Sequence, residues 1–200
     1  MLAAAMEAIE RIVAERLVAV LRRVGEIDLV VDALVAGGVR VVEITMDSDG
    51  ARAAIGRLRA RGDVTVLAGA VRTVADAEAA VAAGAEACVA PATVPAVVER
   101  CAGLGVPMVP GALRPTEVEA ALALAVPLVK IFPARAVGPG YVRELLGPFA
   151  GAQFMVTGGI DAANARAFLD AGAVAVGVGS WLSGAPDVEA AARELVGVAA

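Results

Sequence analysis

Histidine is absent from this chain of 200 residues, and lysine occurs once, as Lys130, beside sixteen arginines. The missing histidine removes the side chain that most often moves protons near neutral pH and the commonest metal ligand. The scarcity of lysine indicates that arginine fills the positions where a positive charge is sufficient. Lys130 is therefore expected to do something that arginine cannot do.

Cysteine is also scarce, with only Cys88 and Cys101 in the chain. Two thiols without close spacing form neither a disulfide framework nor a zinc-binding pattern. Cys88 falls in an apolar run typical of a strand and Cys101 in a run typical of a helix. We expect both to pack in the core, where free cysteine is most often found.

Long apolar runs are missing although 59% of the residues are hydrophobic. The longest charge-free stretches, Leu145–Ile160 and Ala171–Pro186, have 16 residues each and contain glycine or proline, short of the roughly 18–20 that a membrane-spanning helix needs. The N-terminal segment alternates acids and arginines at helical spacing, unlike a signal peptide. We expect a cytoplasmic protein that does not enter the membrane.

The net charge of −5 and the isoelectric point near 4.8 argue against nucleic acid or anionic lipid as partners. A small anionic ligand would have to be held by local features of the chain.

Short β-branched runs recur eight times, at intervals of 20 to 26 residues. Alanine-rich segments with helical periodicity separate them, and several end in glycine, as a helix C-cap would. Strands that are apolar throughout and alternate with helices indicate a parallel sheet covered on both faces. The eight runs are RLVAVLR, VRVVEIT, TVLAGAV, ACVAPA, PMVPGA, LVKIFPA, QFMVTGG and AVAVGVGS.

Eight such units without a change in composition predict one (β/α)₈ TIM barrel over residues 1–200. Met1–Glu15 would be an extra helix before the first strand, and Asp187–Val198 the eighth helix. An open doubly wound sheet is the alternative, although no G-x-G-x-x-G follows an early strand. In a barrel, functional side chains are expected where the strands end.

Two chemically suitable residues lie on the predicted strands. Glu43, near the end of the second strand, points to the opposite face from Val42 and Ile44, and would be either an acid–base group or the partner of an arginine. Lys130 faces either the interior or the helix layer. Burial among apolar groups lowers the pKa of an amine from its ordinary value of about 10.4, whereas a guanidinium does not deprotonate. The sequence therefore indicates a nucleophilic amine, with a leftover surface-type lysine as the alternative.

Glycine pairs follow the last two strands, in TGGID (Thr157–Asp161) and GVGSWL (Gly177–Leu182). Glycines let backbone N–H groups approach an anion, and a helix N-terminus would add a favourable dipole. The loops after strands seven and eight are the usual phosphate site of such barrels. Tight turns that bind no ligand are the other interpretation.

Taken together, these residues resemble the class I aldolases that cleave 2-keto-3-deoxy-6-phosphogluconate (KDPG) or 4-hydroxy-2-oxoglutarate (KHG). The resemblance runs from about Arg16 to Leu182. Its strongest segments are AGGVRVVEIT (Ala36–Thr45), VPMVPGALRPTE (Val106–Glu117), VKIFPA (Val129–Ala134), GPFA (Gly147–Ala150), TGGI (Thr157–Ile160) and GSWL (Gly179–Leu182).

The resemblance implies that Lys130 forms a Schiff base with the substrate ketone and that Glu43 is the general acid–base. It implies no metal and no cofactor, a small 2-keto acid as substrate, and a homotrimer, which is common in the family. The distal phosphate would be bound by Gly158, Gly159 and Ser180. Further substrate contacts are expected from Pro91, Phe132, Thr157 and Gly179.

Two positions depart from the family pattern. The family usually has arginine four residues after the glutamate, where this chain has Asp47, and threonine at the end of strand three, where it has Ala70. The family's arginine binds the substrate carboxylate, and both changes remove groups that hold the pyruvate part of the substrate. A carboxylate at position 47 would repel it. Possible replacements, in our order of preference, are Arg22, Arg72 and Arg114.

Two other functions remain open. A metal-dependent 2-keto acid aldolase or lyase could use Glu43, Asp47 and Asp49, since oxygen ligands suit Mg²⁺ or Mn²⁺. A catalytically silent barrel could bind a phosphorylated ligand without turnover, a reading that Asp47 and Ala70 favour. Isomerases and synthases on such barrels are a further possibility at the level of the fold alone.

Overall fold

Short parallel strands form one continuous sheet that curls into a barrel. The computed structural model describes the backbone of residues 2–200 and the side chains of residues 6–200. The order of neighbouring strands in the sheet is β5-β4-β3-β2-β1-β9-β8-β7-β6. The strands are β1 Leu17–Leu21, β2 Val41–Thr45, β3 Thr65–Gly69, β4 Ala87–Val89, β5 Met108–Val109, β6 Gly111–Ala112, β7 Val129–Ile131, β8 Phe154–Thr157 and β9 Ala175–Val178.

Pro110 divides the fifth barrel strand into β5 and β6. β5 pairs with β4, and β6 pairs with β7, so the barrel closes through residues 108–112. Proline has no N–H to donate to a sheet, but the Pro110 carbonyl still accepts the backbone N–H of Lys130 at 2.8 Å. The predicted eight-stranded barrel is confirmed, and the open-sheet alternative is wrong.

Helices follow the strands around the outside of the barrel. The extra N-terminal helix is confirmed as α1, with Met1 outside the described residues, and the predicted eighth helix is confirmed as α10. Within the described chain, no helix has the length and apolar character needed to cross a bilayer. The helices are α1 Leu2–Glu15, α2 Ile27–Ala36, α3 Ala51–Arg61, α4 Val74–Ala82, α5 Pro95–Gly103, α6 Pro115–Leu122, α7 Gly138–Leu146, α8 Ala165–Asp170, α9 Ser180–Ser183 and α10 Val188–Ala199, with a 3₁₀ helix at Ala134–Ala136.

Residue alternation along the strands creates two separate apolar layers. One layer lies between the sheet and the outer helices and includes Val42, Ile44, Val129 and Ile131. The other fills the barrel interior, where α1 covers one end. The interior layer consists of Ala8, Ile9, Ile12, Val18, Val41, Leu67, Ala87, Val89, Val109, Leu128, Met155 and Ala175.

The same alternation decides where the two chemically important side chains point. Val41 and Leu128 belong to the interior layer. Val41 lies two residues before Glu43 on β2, and Leu128, directly before β7, lies two residues before Lys130. Since side chains two apart on a strand share a face, Glu43 and Lys130 also point inward, one step closer to the C-terminal end of the barrel. This resolves the alternative that Lys130 faces the helix layer.

Cys88 and Cys101 are both fully buried, as expected for core residues. Contact with Cys101, together with burial, raises the pKa of the Cys88 thiol well above its ordinary range. Cys88 therefore stays protonated and packs as a small apolar residue.

The segment ALRPTE (Ala112–Glu117) leads from the end of β6 into the first turn of α6. The Glu117 carboxylate accepts the backbone N–H groups of Leu113 and Arg114 at 2.8 and 3.0 Å, and the Arg114 side chain lies 2.7 Å away. The Tyr141 hydroxyl donates to the Leu113 carbonyl. The backbone hydrogen bonds, assisted by the arginine, lower the pKa of Glu117 to about 2. These contacts fix the loop that leads out of the fifth barrel strand.

The Glu117→Gln variant should therefore lose stability in a pH-dependent way. A carboxyl whose pKa is lower in the folded state stabilises the fold above its unfolded pKa of 4.5, and this contribution disappears as the pH falls towards 2. We expect the free energy of unfolding to drop by about 1 kcal/mol near pH 7, a value reduced for solvent screening of the half-exposed pair. Urea denaturation between pH 7 and pH 3 measures this difference.

Glu99→Gln on the exposed face of α5 is the matched control and should change little at any pH. A destabilisation by Glu117→Gln that is the same at pH 3 and pH 7 would contradict the ionic explanation.

Candidate active site

Lys130 and Glu43 meet inside the barrel. The Lys130 Nζ atom lies 3.7 Å from Glu43 Oε1, and the two residues are 7% and 1% exposed. In the order of the eight barrel strands, β2 and β7 lie on opposite sides, so the pair spans the interior. The Lys130 Nζ atom also lies 5.4 Å from the centre of the Phe132 ring, within range of a cation–π contact.

A glycine makes room for the buried carboxylate. A Cβ atom at Gly69, on the neighbouring strand, would lie 2.1 Å from Glu43 Oε1. In the same way, a Cβ atom at Gly177 would lie 2.5 Å from Thr157 Cγ2. Glu43 and Thr157 therefore occupy the space that side chains at positions 69 and 177 would need. Replacing either glycine with a larger residue would displace them.

The second carboxylate oxygen of Glu43, Oε2, is buried without a hydrogen-bond partner among the side chains and backbone described. Buried polar atoms nearly always have a partner, because leaving one unpaired costs free energy. Oε2 is thus an unsatisfied acceptor inside the barrel, with almost no surface open to solvent. Oε1 lies beside the amine, and Glu43 also lines the cavity, so one residue can contact both Lys130 and a ligand.

A cavity of about 630 Å³ opens above this pair at the C-terminal ends of the strands, where a barrel carries its functional site. Its size suits a small organic molecule. Predicted site residues that line it are Arg22, Glu43, Lys130, Phe132, Thr157, Gly158, Gly159, Gly179 and Ser180. The structure adds Val20, Arg135, Ile160, Asp161, Gly177, Trp181 and Ser183.

Pro91 and Arg72 are predicted site residues that do not line this cavity. Pro91 lines a separate cavity of about 450 Å³, which shares only Phe132 with the first.

Arg72 is exposed just before α4, and its backbone N–H donates to Asp76 at 3.2 Å. Arg114 is paired with Glu117. Of the three arginines considered for the substrate carboxylate, Arg22 is the one that lines the cavity.

Asp47 contacts this arginine directly. Its Oδ2 atom lies 3.0 Å from Arg22 Nη1 and 3.7 Å from Arg23 Nη2. Asp47 itself faces a neighbouring cavity rather than the one above Lys130. The expectation that Asp47 repels a substrate carboxylate therefore needs correction, because its charge is balanced by two arginines and it lies outside the cavity.

The carboxylates considered as metal ligands do not converge. Glu43 lies inside the barrel, whereas Asp47 and Asp49 line the neighbouring cavity. Across the described part of the chain, no three histidine, cysteine, aspartate or glutamate side chains are grouped so that they could hold a metal ion. The geometry thus gives no support to the metal-ligand alternative.

The glycine turn after β8 has left-handed backbone at both residues, with φ of 93° at Gly158 and 75° at Gly159. Few other residues adopt this conformation. A Cβ atom at Gly158 would lie 3.0 Å from the Phe132 ring.

The expected contribution of a helix dipole to anion binding is not supported, since α8 begins only at Ala165 and has six residues, and α9 has four. Backbone N–H groups and side chains must bind any anion here.

Arg135, Asp161 and Trp181 line the cavity but were not predicted as site residues. Arg135 and Asp161 lie shortly after β7 and β8, and Trp181 follows Ser180 after β9. The only indication in the sequence that these residues belong to the site was that they follow the ends of predicted strands. The sequence does not show how each loop folds, so it could not indicate which loop side chains reach the cavity.

A buried amine beside a carboxylate, at the base of an open cavity, can carry out covalent chemistry on a carbonyl compound. The amine can attack the carbonyl carbon, and the carboxylate can take up and return the protons. Nearby glycine N–H groups and arginines can hold anionic parts of the same molecule.

Comparisons with known proteins agree with this chemistry. The sequence model of a family described as KDPG and KHG aldolase matches residues 8–196. A 2-dehydro-3-deoxy-phosphogluconate aldolase of Treponema pallidum is 37% identical over 188 residues, which cover 92% of this chain and 88% of that protein.

Two solved structures show the same barrel. A 4-hydroxy-2-oxoglutarate/2-dehydro-3-deoxyphosphogluconate aldolase from TTHB1 superposes with a TM-score of 0.88 at 34% identity, covering 98% of this chain and 100% of that one. A KDPG aldolase from Legionella pneumophila, with pyruvate captured as a covalent carbinolamine, superposes with a TM-score of 0.80 at 26% identity, covering 92% of each chain. With its family pattern matched over nearly the whole barrel, the chain belongs to the KDPG and KHG aldolase family.

Proposed function

We propose that this aldolase works through a Schiff base on Lys130 and cleaves KDPG to pyruvate and glyceraldehyde 3-phosphate, KHG to pyruvate and glyoxylate, or both. The observation that carries the proposal is the buried pair of Lys130 and Glu43, 3.7 Å apart beneath the cavity. The names of the relatives support the substrates, and the carbinolamine in the Legionella enzyme supports covalent attachment of pyruvate.

The first half of the reaction attaches the substrate. Glu43 takes one proton from the ammonium group, and the Nζ lone pair then forms a bond to the C2 carbonyl carbon. Glu43 passes this proton to the carbinolamine oxygen, takes a second proton from the nitrogen and delivers it to the same oxygen, which leaves as water and produces an iminium ion. The position of Oε1 beside the amine, on a residue that lines the cavity, allows one carboxylate to make these transfers.

The second half breaks the carbon–carbon bond. Glu43 accepts the C4 hydroxyl proton as the C3–C4 electron pair moves into the iminium, which gives an aldehyde and an enamine. Return of this proton to C3 converts the enamine into the iminium of pyruvate, and addition of water releases pyruvate and the free amine. Dividing the reaction in this way replaces one difficult step with several easier ones.

The substrate carboxylate would be held by Arg22, which lines the cavity and follows β1, the neighbour of the strand that carries Glu43. Asp47 binds one terminal nitrogen of this guanidinium and leaves other N–H groups available for the ligand. Asp47 therefore acts as a positioning residue in this proposal. The phosphate of KDPG would bind where Gly158, Gly159 and Ser180 line the cavity.

Trapping with borohydride tests the covalent step. In the presence of pyruvate, reduction of the imine should leave a stable adduct on Lys130, which peptide mass mapping detects. Lys130→Arg preserves the charge but cannot form an imine, and should show no adduct and no measurable cleavage. Glu43→Gln should reduce kcat by roughly 10²–10⁴-fold because proton transfer is lost.

Full activity of the Lys130→Arg variant would contradict the Schiff-base mechanism. Activity abolished by excess EDTA would instead favour a metal-dependent lyase. Binding of pyruvate to the wild-type protein without any release of pyruvate from KDPG or KHG would favour the silent barrel.

Replacement of Arg22 tests the carboxylate site. Because KDPG and KHG share the pyruvate carboxylate, Arg22→Gln should lower kcat/KM for both substrates by a similar factor of about 10 to 100, the loss expected for a charged hydrogen bond. Arg72→Gln, at the second candidate position, is the matched control. If Arg72→Gln caused the larger loss, the assignment would move to Arg72.

Homotrimeric assembly and a cytoplasmic location stay predictions. The first comes from the family resemblance and the second from the composition of the chain. Sedimentation equilibrium of the purified protein should give three times the mass of one chain, whereas the mass of a single chain would contradict the trimer.

A further inference from the structure

Arg135 lies across the glycine turn that follows β8. It belongs to the 3₁₀ helix after β7, and its backbone N–H donates to the Gly158 carbonyl at 3.0 Å. A Cβ atom at Gly159 would lie 2.5 Å from Arg135 Cδ and 2.6 Å from its Cβ. The stem of the arginine is thus packed on the backbone of the turn, and both line the cavity.

The charge of Arg135 is not balanced by a neighbouring side chain. Two other basic residues line the cavity, and each has a carboxylate partner: Glu43 for Lys130 and Asp47 for Arg22. Within residues 6–200, no carboxylate oxygen lies within 4.0 Å of the Arg135 guanidinium. Its charge is therefore free to act on a ligand.

Other groups at this end of the cavity provide little positive charge. A phosphate monoester carries a charge of about −1.5 to −2 at neutral pH. The helices that follow β8 and β9 are too short to contribute a useful dipole. Asp161, which also lines the cavity, adds a negative charge, although its Oδ1 atom accepts the Asn164 N–H at 3.0 Å.

We propose that Arg135 binds the phosphate of the substrate and is the residue that makes this enzyme favour a phosphorylated six-carbon 2-keto acid. A guanidinium can donate two parallel hydrogen bonds to phosphate. KHG has no phosphate, and its distal carboxylate is attached directly to C4, next to the bond that breaks. Arg135 therefore contributes to the recognition of KDPG and not of KHG, an inference that rests on the aldolase function proposed above.

Kinetics with both substrates tests the proposal. Arg135→Gln should lower kcat/KM for KDPG by about 10- to 100-fold, mainly through KM, and change the value for KHG by less than about threefold. Arg135→Lys keeps the charge but loses the paired hydrogen bonds, and should recover part of the loss. Arg143→Gln, an exposed arginine on α7 outside the cavity, is the matched control and should match the wild type.

An equal loss for KDPG and KHG in Arg135→Gln would overturn the proposal, because it would indicate damage to the pyruvate end or to the fold. Unchanged kinetics with KDPG would overturn it as well. Borohydride trapping of pyruvate by Arg135→Gln should be as complete as in the wild type, since pyruvate carries no phosphate.

Binding of a phosphorylated compound separates this proposal from the function of the whole site. Trp181 is the single tryptophan of the chain and lines the same cavity, so its fluorescence can report ligand binding. Glyceraldehyde 3-phosphate and inorganic phosphate should each bind the wild type at least tenfold more tightly than Arg135→Gln. If the wild type formed no pyruvate adduct, the aldolase mechanism would fail, and this titration alone would decide for or against Arg135.

Discussion

The structure depends on accommodating an amine and a carboxylate inside an otherwise apolar barrel. Lys130 and Glu43 come from opposite strands and meet at 3.7 Å, almost completely shielded from solvent. Buried charges are costly unless they are paired, and here the pair also faces an open cavity. The rest of the interior follows from this arrangement: Gly69 leaves space for the carboxylate, and apolar residues together with α1 fill the opposite end of the barrel.

The cavity combines this buried pair with two arginines, Arg22 and Arg135, whose positive charges suit anionic groups. The chain carries a net charge of −5, so an anionic substrate must be attracted by local groups. Arg22, paired with Asp47, and Arg135, packed on Gly159, both line the cavity. The acidic residue at position 47, unusual for the family, is thus compensated by its contact with a neighbouring arginine. A substitution that looks unfavourable in sequence is acceptable because the charge it introduces is paired.

Much of this could be predicted because barrels repeat a simple pattern. Eight apolar runs separated by helical segments predicted the closed sheet, and the position of Lys130 and Glu43 on two of those runs predicted their convergence at the C-terminal end. The division of the fifth strand at Pro110 was not predicted, since a run of six residues gives no sign that its two halves pair with different neighbours. Arg135 was missed because its approach to Gly159 depends on the course of two loops that are distant in sequence.

The sequence by itself determined the barrel, the family and the strand that carries the single lysine, because strand periodicity and a solitary lysine are local properties of the chain. Only the tertiary structure decided which arginines line the cavity. Arg22, Arg72 and Arg114 all follow strands, yet the loops turn only Arg22 towards the cavity, while Arg114 pairs with a glutamate on its own helix. The direction of a loop side chain is set by contacts with other parts of the fold, which no local pattern contains.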